Sequence, residues 1–221
     1  MALRYLGAIF LCNFIAPLSH QIFGDAEKCV YLHTDKSEFM EQDEKKWTIL
    51  KSEYLIKRPW LTARRDKVKL PDGRIIPEYY VLEYPDWVNV IAITRDDRFV
   101  MERQYRHASG RTNYELPCGV MESGETPLEA AKRELQEETG YGNGEWKEIM
   151  VLSANPSTMT NITHCFLATN VEKIYEQKLD ATEDLSVHLL SREEVVNLLR
   201  RNDILQSLMV APLLKYFFSD K

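Results

Sequence analysis

Glu134, Glu137 and Glu138 fall within five consecutive residues, in the run Arg133-Glu134-Leu135-Gln136-Glu137-Glu138. On a helix advancing about 100° per residue they lie within roughly 100° of one another, so three carboxylates share a face. Like charges at i, i+3 and i+4 repel, and the negative pole of a helix C-terminus adds to the repulsion. Each effect costs a few tenths of a kcal/mol, roughly. Arg133 stands four residues from both Glu129 and Glu137 and offsets part of this. A divalent cation would offset the rest, because Mg²⁺ takes oxygen ligands from a few carboxylates and completes its octahedron with waters and substrate phosphates. Taken alone, the same spacing also describes a solvated acidic helix face.

The element that carries these residues is well delimited. Thr126 can cap a helix with Glu129 three residues on, and Pro127 occupies the first helical position, where a missing N–H costs nothing. Gly140 supplies a left-handed residue just past the last turn, so the helix runs from Pro127 to about Thr139. Leu128, Ala131 and Leu135 form its expected core arc, which leaves Glu134, Glu137 and Glu138 on the adjacent non-core arc.

Upstream, short strands dominate from Trp47 to Arg106. Arg64 to Leu70 and Arg74 to Glu83 flank Pro71-Asp72-Gly73, a turn that closes a hairpin. Val88 to Thr94 and Phe99 to Arg106 form a second one. Further strands are expected at Trp146 to Ser153, Thr163 to Ala168 and Leu185 to Leu190. Helices are expected at Ser191 to Arg200 and Asp203 to Phe218, the latter kinked or split by Pro212. Strands and helices mixed without strict alternation read as a mixed sheet sandwiched by helices, an α+β fold.

The chain has 221 residues, 44% apolar and 28% charged, with 9 Gly and 9 Pro, which excludes disordered and collagen-like classes. Lys plus Arg number 28 against 34 Asp plus Glu, a net charge of −6, which argues against a nucleic-acid partner held by phosphate neutralisation. Cys12, Cys29, Cys118 and Cys165 show no C-x-x-C spacing, so a reducing, cytoplasmic location is expected. The apolar run Tyr5 to Leu18 is shorter than the roughly 20 residues of a membrane span. It has the length of a signal-peptide core without a good cleavage site, and residues 1–39 read as an extension, with Met40 an alternative start. Residues 40–85 then form an N-terminal strand region and 86–221 the main domain.

Residues 119–141 fit G-x5-E-x7-R-E-U-x-E-E-x-G-U, with U apolar or aromatic, at every specified position: Gly119, Glu125, Arg133, Glu134, Leu135, Glu137, Glu138, Gly140 and Tyr141. The chance of this is roughly 10⁻⁹ per starting point at average residue frequencies. On this run the sequence resembles the Nudix hydrolases. The resemblance implies a Nudix α/β/α sandwich and Mg²⁺- or Mn²⁺-dependent hydrolysis of a nucleoside diphosphate linked to another moiety. It also implies that Glu134, Glu137 and Glu138 bind metal, that Arg133 and Glu125 orient them, and that Gly119 begins the loop leading to the helix.

Other segments resemble the ADP-ribose and ADP-sugar pyrophosphatases of that family. In Glu115-Leu116-Pro117-Cys118-Gly119, Cys118 stands where a backbone carbonyl binds metal, its thiol an inert filler. In Arg103-Gln104-Tyr105-Arg106 the resemblance puts Arg106, with Arg103 beside it, near a substrate phosphate, which suits a planar guanidinium. Pro156 lies 16 residues beyond Gly140, a spacing associated with that subfamily. Glu183 matches a mobile loop acid that serves as general base in some relatives, with Glu137 its competitor; a solvated loop acid fits the sequence equally. The segment Lys46 to Leu55 resembles first strands that exchange across a homodimer. Trp47 and Trp60 are candidates to sandwich the base, and equally suited to a core. Lys57, Arg58, Arg64, Arg65, Lys67 and Lys69 read as a solvated edge strand, not an RNA surface.

The expected activity is therefore cleavage of ADP-ribose or a related nucleoside diphosphate sugar to a nucleoside monophosphate and a sugar phosphate. Another nucleotide sugar, such as GDP-mannose, is the nearest alternative. A non-catalytic Nudix-like domain that senses a nucleotide sugar is the second.

Overall fold

The computed structural model describes residues 45–218, so the expectations for residues 1–39 lie outside the described residues. Among the described residues there are two sheets. The first is an antiparallel meander of β1 (Thr48–Arg58), β2 (Leu61–Lys69) and β3 (Ile75–Glu83). Its second turn is the expected one: the Leu70 amide donates to Arg74 O at 2.9 Å and Gly73, at φ 88°, donates to Leu70 O at 3.0 Å. β2 is the central strand, not a solvated edge. Arg64 pairs with Asp66 on the same strand and with Glu83 on β3, and Arg65 with Glu53 on β1 and Glu78 on β3, while Lys57 and Arg58 lie on the exposed edge strand β1.

The second sheet is built on β4 (Trp87–Thr94), β5 (Phe99–Arg106), β10 (Thr163–Lys173) and β11 (Leu185–Leu190), in the order β11-β5-β4-β10. β10 runs parallel to β4 and the other pairings are antiparallel, which makes the sheet mixed. Strand alternation on β4 divides the interior. Val88, Val90 and Ala92 pack with Ala130, Ala131 and Leu135 of helix α1 (Pro127–Thr139). Ile91 and Ile93 face Val195 and Leu198 of α2 (Arg192–Arg201) and Met209 and Leu213 of α3 (Ser207–Phe218). Helices thus cover both faces of the sheet, an α/β/α sandwich.

β4 and β5 share only two residue pairs, Ala92 with Val100 and Ile93 with Phe99, and then part. Two short strands absent from the expectations fill the gap: β6 (Arg111–Glu115) on β5 and β7 (Cys118–Val120) on β4. Gly119 therefore lies within a strand and not at a loop start. β8 (Tyr141–Gly142) and β9 (Glu145–Leu152) complete the sheet against β10.

α3 begins at Ser207 and is not split at Pro212. Proline removes the N–H that would bond to the carbonyl four residues back, here Leu208 O. Asn89 Nδ2 donates to that carbonyl at 2.8 Å from the sheet below. The two sheets meet through the loop after β9, where the Leu82 amide donates to Thr158 O at 2.7 Å and the Thr160 amide to Leu82 O at 3.1 Å.

Candidate active site

α1 is capped as its sequence requires. Thr126 and Glu129 form a reciprocal capping box, and Gly140 closes the helix at φ 75°. The wheel-based division of its faces needs two corrections. Leu128 is exposed, whereas Glu134 and Glu138 are buried at 8% and 4% exposure. The reason is β7, which packs over the acidic arc as a second wall. Glu134 lies so close to Gly119 that a Cβ there would collide with its carboxylate. The Cys118 amide donates to Glu138 Oε2 at 2.8 Å.

Arg133 organises the acidic face. Its Nε and Nη2 grip both oxygens of Glu125 at 2.7 and 2.9 Å, and Nη2 also donates to Val120 O at 2.9 Å. Nη1 reaches Glu134 at 2.8 Å and Glu137 at 3.2 Å. The guanidinium holds Glu125 below the usual carboxylate range, while burial pushes Glu134 up and Glu138 well up. Glu102, on β5, is buried and its carboxyl is pushed up to about 8 by that burial, opposed by a hydrogen bond with Glu138. Burial also pushes the Cys118 thiol up, which keeps it inert at neutral pH.

Cys118, Arg133, Glu134, Glu137 and Glu138 line a cleft of about 440 Å³, bordered also by Trp60, Trp87, Gln104, Arg106, Lys178, Asp180 and Glu183. Of the expected site residues, the cleft gathers Arg106, Cys118, Arg133, Glu134, Glu137, Glu138, Glu183 and Trp60. Glu125 acts behind it through Arg133. Trp47 and Arg103 do not line it: Trp47 packs edge-on to Tyr79 at 5.6 Å, and Arg103 lies over the Tyr114 ring at 5.7 Å. Arg103 and Arg106 are three residues apart on one strand, so alternation sends them to opposite faces. The face shared with Arg106 carries Gln104 and Glu102 instead, which the same period-two count could have identified. Arg106 itself is engaged, its Nε and Nη2 bound to Glu115 at 3.0 and 2.6 Å. Pro156 lies in the loop that meets β3, outside the cleft lining.

Six acids line the cleft, namely Glu122, Glu134, Glu137, Glu138, Asp180 and Glu183, against the three cations Arg106, Arg133 and Lys178. Such an excess, with two of the acids driven toward protonation by burial, suits a hard divalent cation. Among the described residues no three acidic, His or Cys side chains already converge as a closed ligand set. Arg133 holds Glu134 and Glu137, and Glu138 is turned onto the Cys118 amide.

Residues 84–210 match the NUDIX domain, and residues 47–82 match the nucleoside diphosphate sugar hydrolase N-terminal domain. The chain belongs to the NUDIX family and is a hydrolase. It is 31% identical over 140 residues to an ADP-ribose pyrophosphatase of Bacillus subtilis (strain 168), covering 63% of this chain and 75% of that protein. It is 30% identical over 153 residues to an ADP-ribose pyrophosphatase of Mycobacterium tuberculosis (strain ATCC 25618 / H37Rv), covering 68% and 73%. A methanol dehydrogenase activator of Bacillus methanolicus is 30% identical over 159 residues, covering 72% and 85%. The fold is shared with a crystal structure of an ADP compounds hydrolase, at a TM-score of 0.69 and 23% identity, over 80% of this chain and 98% of that one.

Proposed function

We propose that this hydrolase cleaves the diphosphate of ADP-ribose or a related nucleoside diphosphate sugar, releasing a nucleoside monophosphate and a sugar phosphate. The observation that carries the reading is the cleft itself: an acidic helix face, the Glu183 loop, and an indole, Trp60, exposed at 77%, all on one lining. The names of the relatives, ADP-ribose pyrophosphatase and, for a mouse relative 38% identical over 71 residues, ADP-sugar pyrophosphatase, support the same substrate class.

Glu134, Glu137, Glu138 and the Cys118 carbonyl would hold Mg²⁺, or Mn²⁺ in its place. When bound, such a cation polarises phosphoryl oxygens and lowers the pKa of attacking water. The protein's own groups do the rest. Arg133 and Glu125 keep the acidic face in register through four charge-assisted bonds. Arg106, steadied by Glu115 through Nε and Nη2, presents its remaining donors to a substrate phosphate. Trp60 stacks on the base. Glu183 takes the proton from the attacking water.

The working unit we propose is a cytoplasmic homodimer formed through the N-terminal sheet. Every residue of β1 is exposed, including Ile49, Leu50, Tyr54, Leu55 and Ile56, and the strand lies at a sheet edge. An exposed apolar edge of this length favours pairing with another copy. Both described cysteines are free and buried, in keeping with a reducing compartment. Among the described residues no helix is long and apolar enough to cross a membrane.

The test is a panel of ADP-ribose, GDP-mannose, UDP-glucose and ATP with Mg²⁺, scored by nucleoside monophosphate and sugar phosphate release. ADP-ribose should be turned over with the highest kcat/KM. Faster hydrolysis of ATP than of every nucleotide sugar would refute the substrate class. Analytical ultracentrifugation should show a dimer that Leu55→Glu converts to monomer.

A further inference from the structure

The segment between β10 and β11 is fastened to the end of the acidic helix. A helix C-terminus leaves its last carbonyls without intrahelical partners. Here three of them are satisfied from this segment. The Lys178 amide donates to Glu137 O at 2.8 Å, Gln177 Nε2 donates to Glu138 O at 2.6 Å, and the Ile174 and Tyr175 amides both donate to Gly140 O at 3.0 Å. Gly140 has to be glycine for this approach, since a Cβ would collide with Tyr175 O. Residues 174–178 are thereby fixed relative to the very residues that present Glu137 and Glu138.

The consequence lies in where this puts Lys178. It lines the cleft together with Glu134, Glu137 and Glu138. The charges of the other two cations of the lining are already paired with carboxylates, Arg106 with Glu115, and Arg133 with Glu125, Glu134 and Glu137, although Arg106 keeps donors free for a phosphate. The Lys178 ammonium has no ion pair or hydrogen bond among the described residues. An unpaired ammonium beside so many acids is not there to balance one particular carboxylate. A substrate diphosphate, by contrast, brings at least two negative charges into a cleft already rich in acids. A flexible point charge with three donors, held at the helix end, suits the phosphate oxygens.

We propose that Lys178 is a substrate-binding residue of this cleft that contacts the diphosphate, held in place by Gln177 and by its own backbone bond to the helix. The inference rests on the substrate class proposed above. Because the charge is present before and after bond cleavage, its contribution is to binding of ground state and transition state alike, and it should appear mainly in KM.

The experiment compares wild type, Lys178→Met and Lys178→Arg. KM and kcat for ADP-ribose are measured with Mg²⁺ saturating, and calorimetric binding of inorganic pyrophosphate is measured in the same buffer. Lys178→Met keeps the backbone bond to Glu137 O, so its Tm should stay near wild type. Its KM should rise about ten- to a hundredfold, the size expected for one charge-assisted bond, with a much smaller change in kcat. Pyrophosphate affinity should fall in parallel, and Lys178→Arg should recover most of both. A Lys178→Met protein with KM and pyrophosphate affinity within twofold of wild type would overturn the proposal. So would an equal loss in Lys178→Arg at unchanged Tm, since that tracks the loop and not the charge. If wild type turns over no nucleotide sugar, the proposed function fails, and the pyrophosphate comparison still decides the role of Lys178.

Discussion

Cys118 and Glu138 are joined by one bond, from the Cys118 amide to Glu138 Oε2 at 2.8 Å, and it pins β7 to the last turn of α1. The acceptor is thus both a structural latch and a proposed metal ligand. A glutamine at 138 can still accept from that amide through its carbonyl, but it neither carries charge nor binds Mg²⁺ comparably.

Glu138→Gln should therefore fold and lose several orders of magnitude in kcat, and Glu134→Gln should do the same. Circular dichroism and single-turnover kinetics check the pair. Saturating Mg²⁺ should raise the wild-type Tm, by the equivalent of about 2.7 kcal/mol at a hundredfold excess over Kd, and should raise that of Glu138→Gln far less. Wild-type turnover in either variant would remove that residue from the site.

Glu183 and Glu137 compete for the role of general base. The Glu183 carboxylate accepts from the Asp180 amide at 2.8 Å, so a glutamine can preserve the loop turn. Glu183→Gln should depress kcat with KM within a few fold. The acidic limb of kcat/KM against pH, at saturating metal, should vanish in Glu183→Gln and persist in wild type. Full activity with an unchanged profile would move the base to Glu137.

Glu102 makes a separate prediction about pH. Its folded carboxyl is pushed up to about 8, chiefly by burial. Below the ordinary carboxylate range both states are protonated and the group contributes nothing. As pH rises the unfolded chain releases its proton first, the folded state holds more protons, and stability falls. In the metal-free protein, the stability of wild type should drop relative to Glu102→Gln by more than about 1 kcal/mol between about pH 5 and pH 8, read from urea midpoints. Parallel curves for the two proteins would contradict the shift.

Asn89 and Pro212 should be thermodynamically coupled. Asn89→Leu leaves Leu208 O without its donor and should cost about 1–3 kcal/mol. Restoring an N–H with Pro212→Ala gives that carbonyl an intrahelical partner, so the Asn89→Leu penalty should shrink in the double variant. Urea denaturation of the four proteins supplies the coupling energy. Strict additivity would separate the two residues.

Much of the site was legible along the chain because its determinants are local. Thr126, Pro127, Glu129 and Gly140 delimit α1, and the spacing of Glu134, Glu137 and Glu138 puts three acids on one face whatever packs against it. The Pro71-Asp72-Gly73 turn and the apolar runs of β4 and β5 are local as well. What the chain alone leaves open depends on segments far apart in sequence. Whether Glu134 and Glu138 are solvated or buried was decided by β7, a three-residue strand too short to carry a period. Glu115 became the partner of Arg106 only because β6 pairs with β5. Pro212 breaks a helix by its own chemistry, yet α3 continues across it, and the Leu208 carbonyl it leaves without a donor is satisfied by Asn89, 119 residues before Leu208. Capping, turns and helical spacing act within a few residues and can be read from types alone. Burial and ion pairing are set by which surfaces meet, and only the folded chain brings those surfaces together.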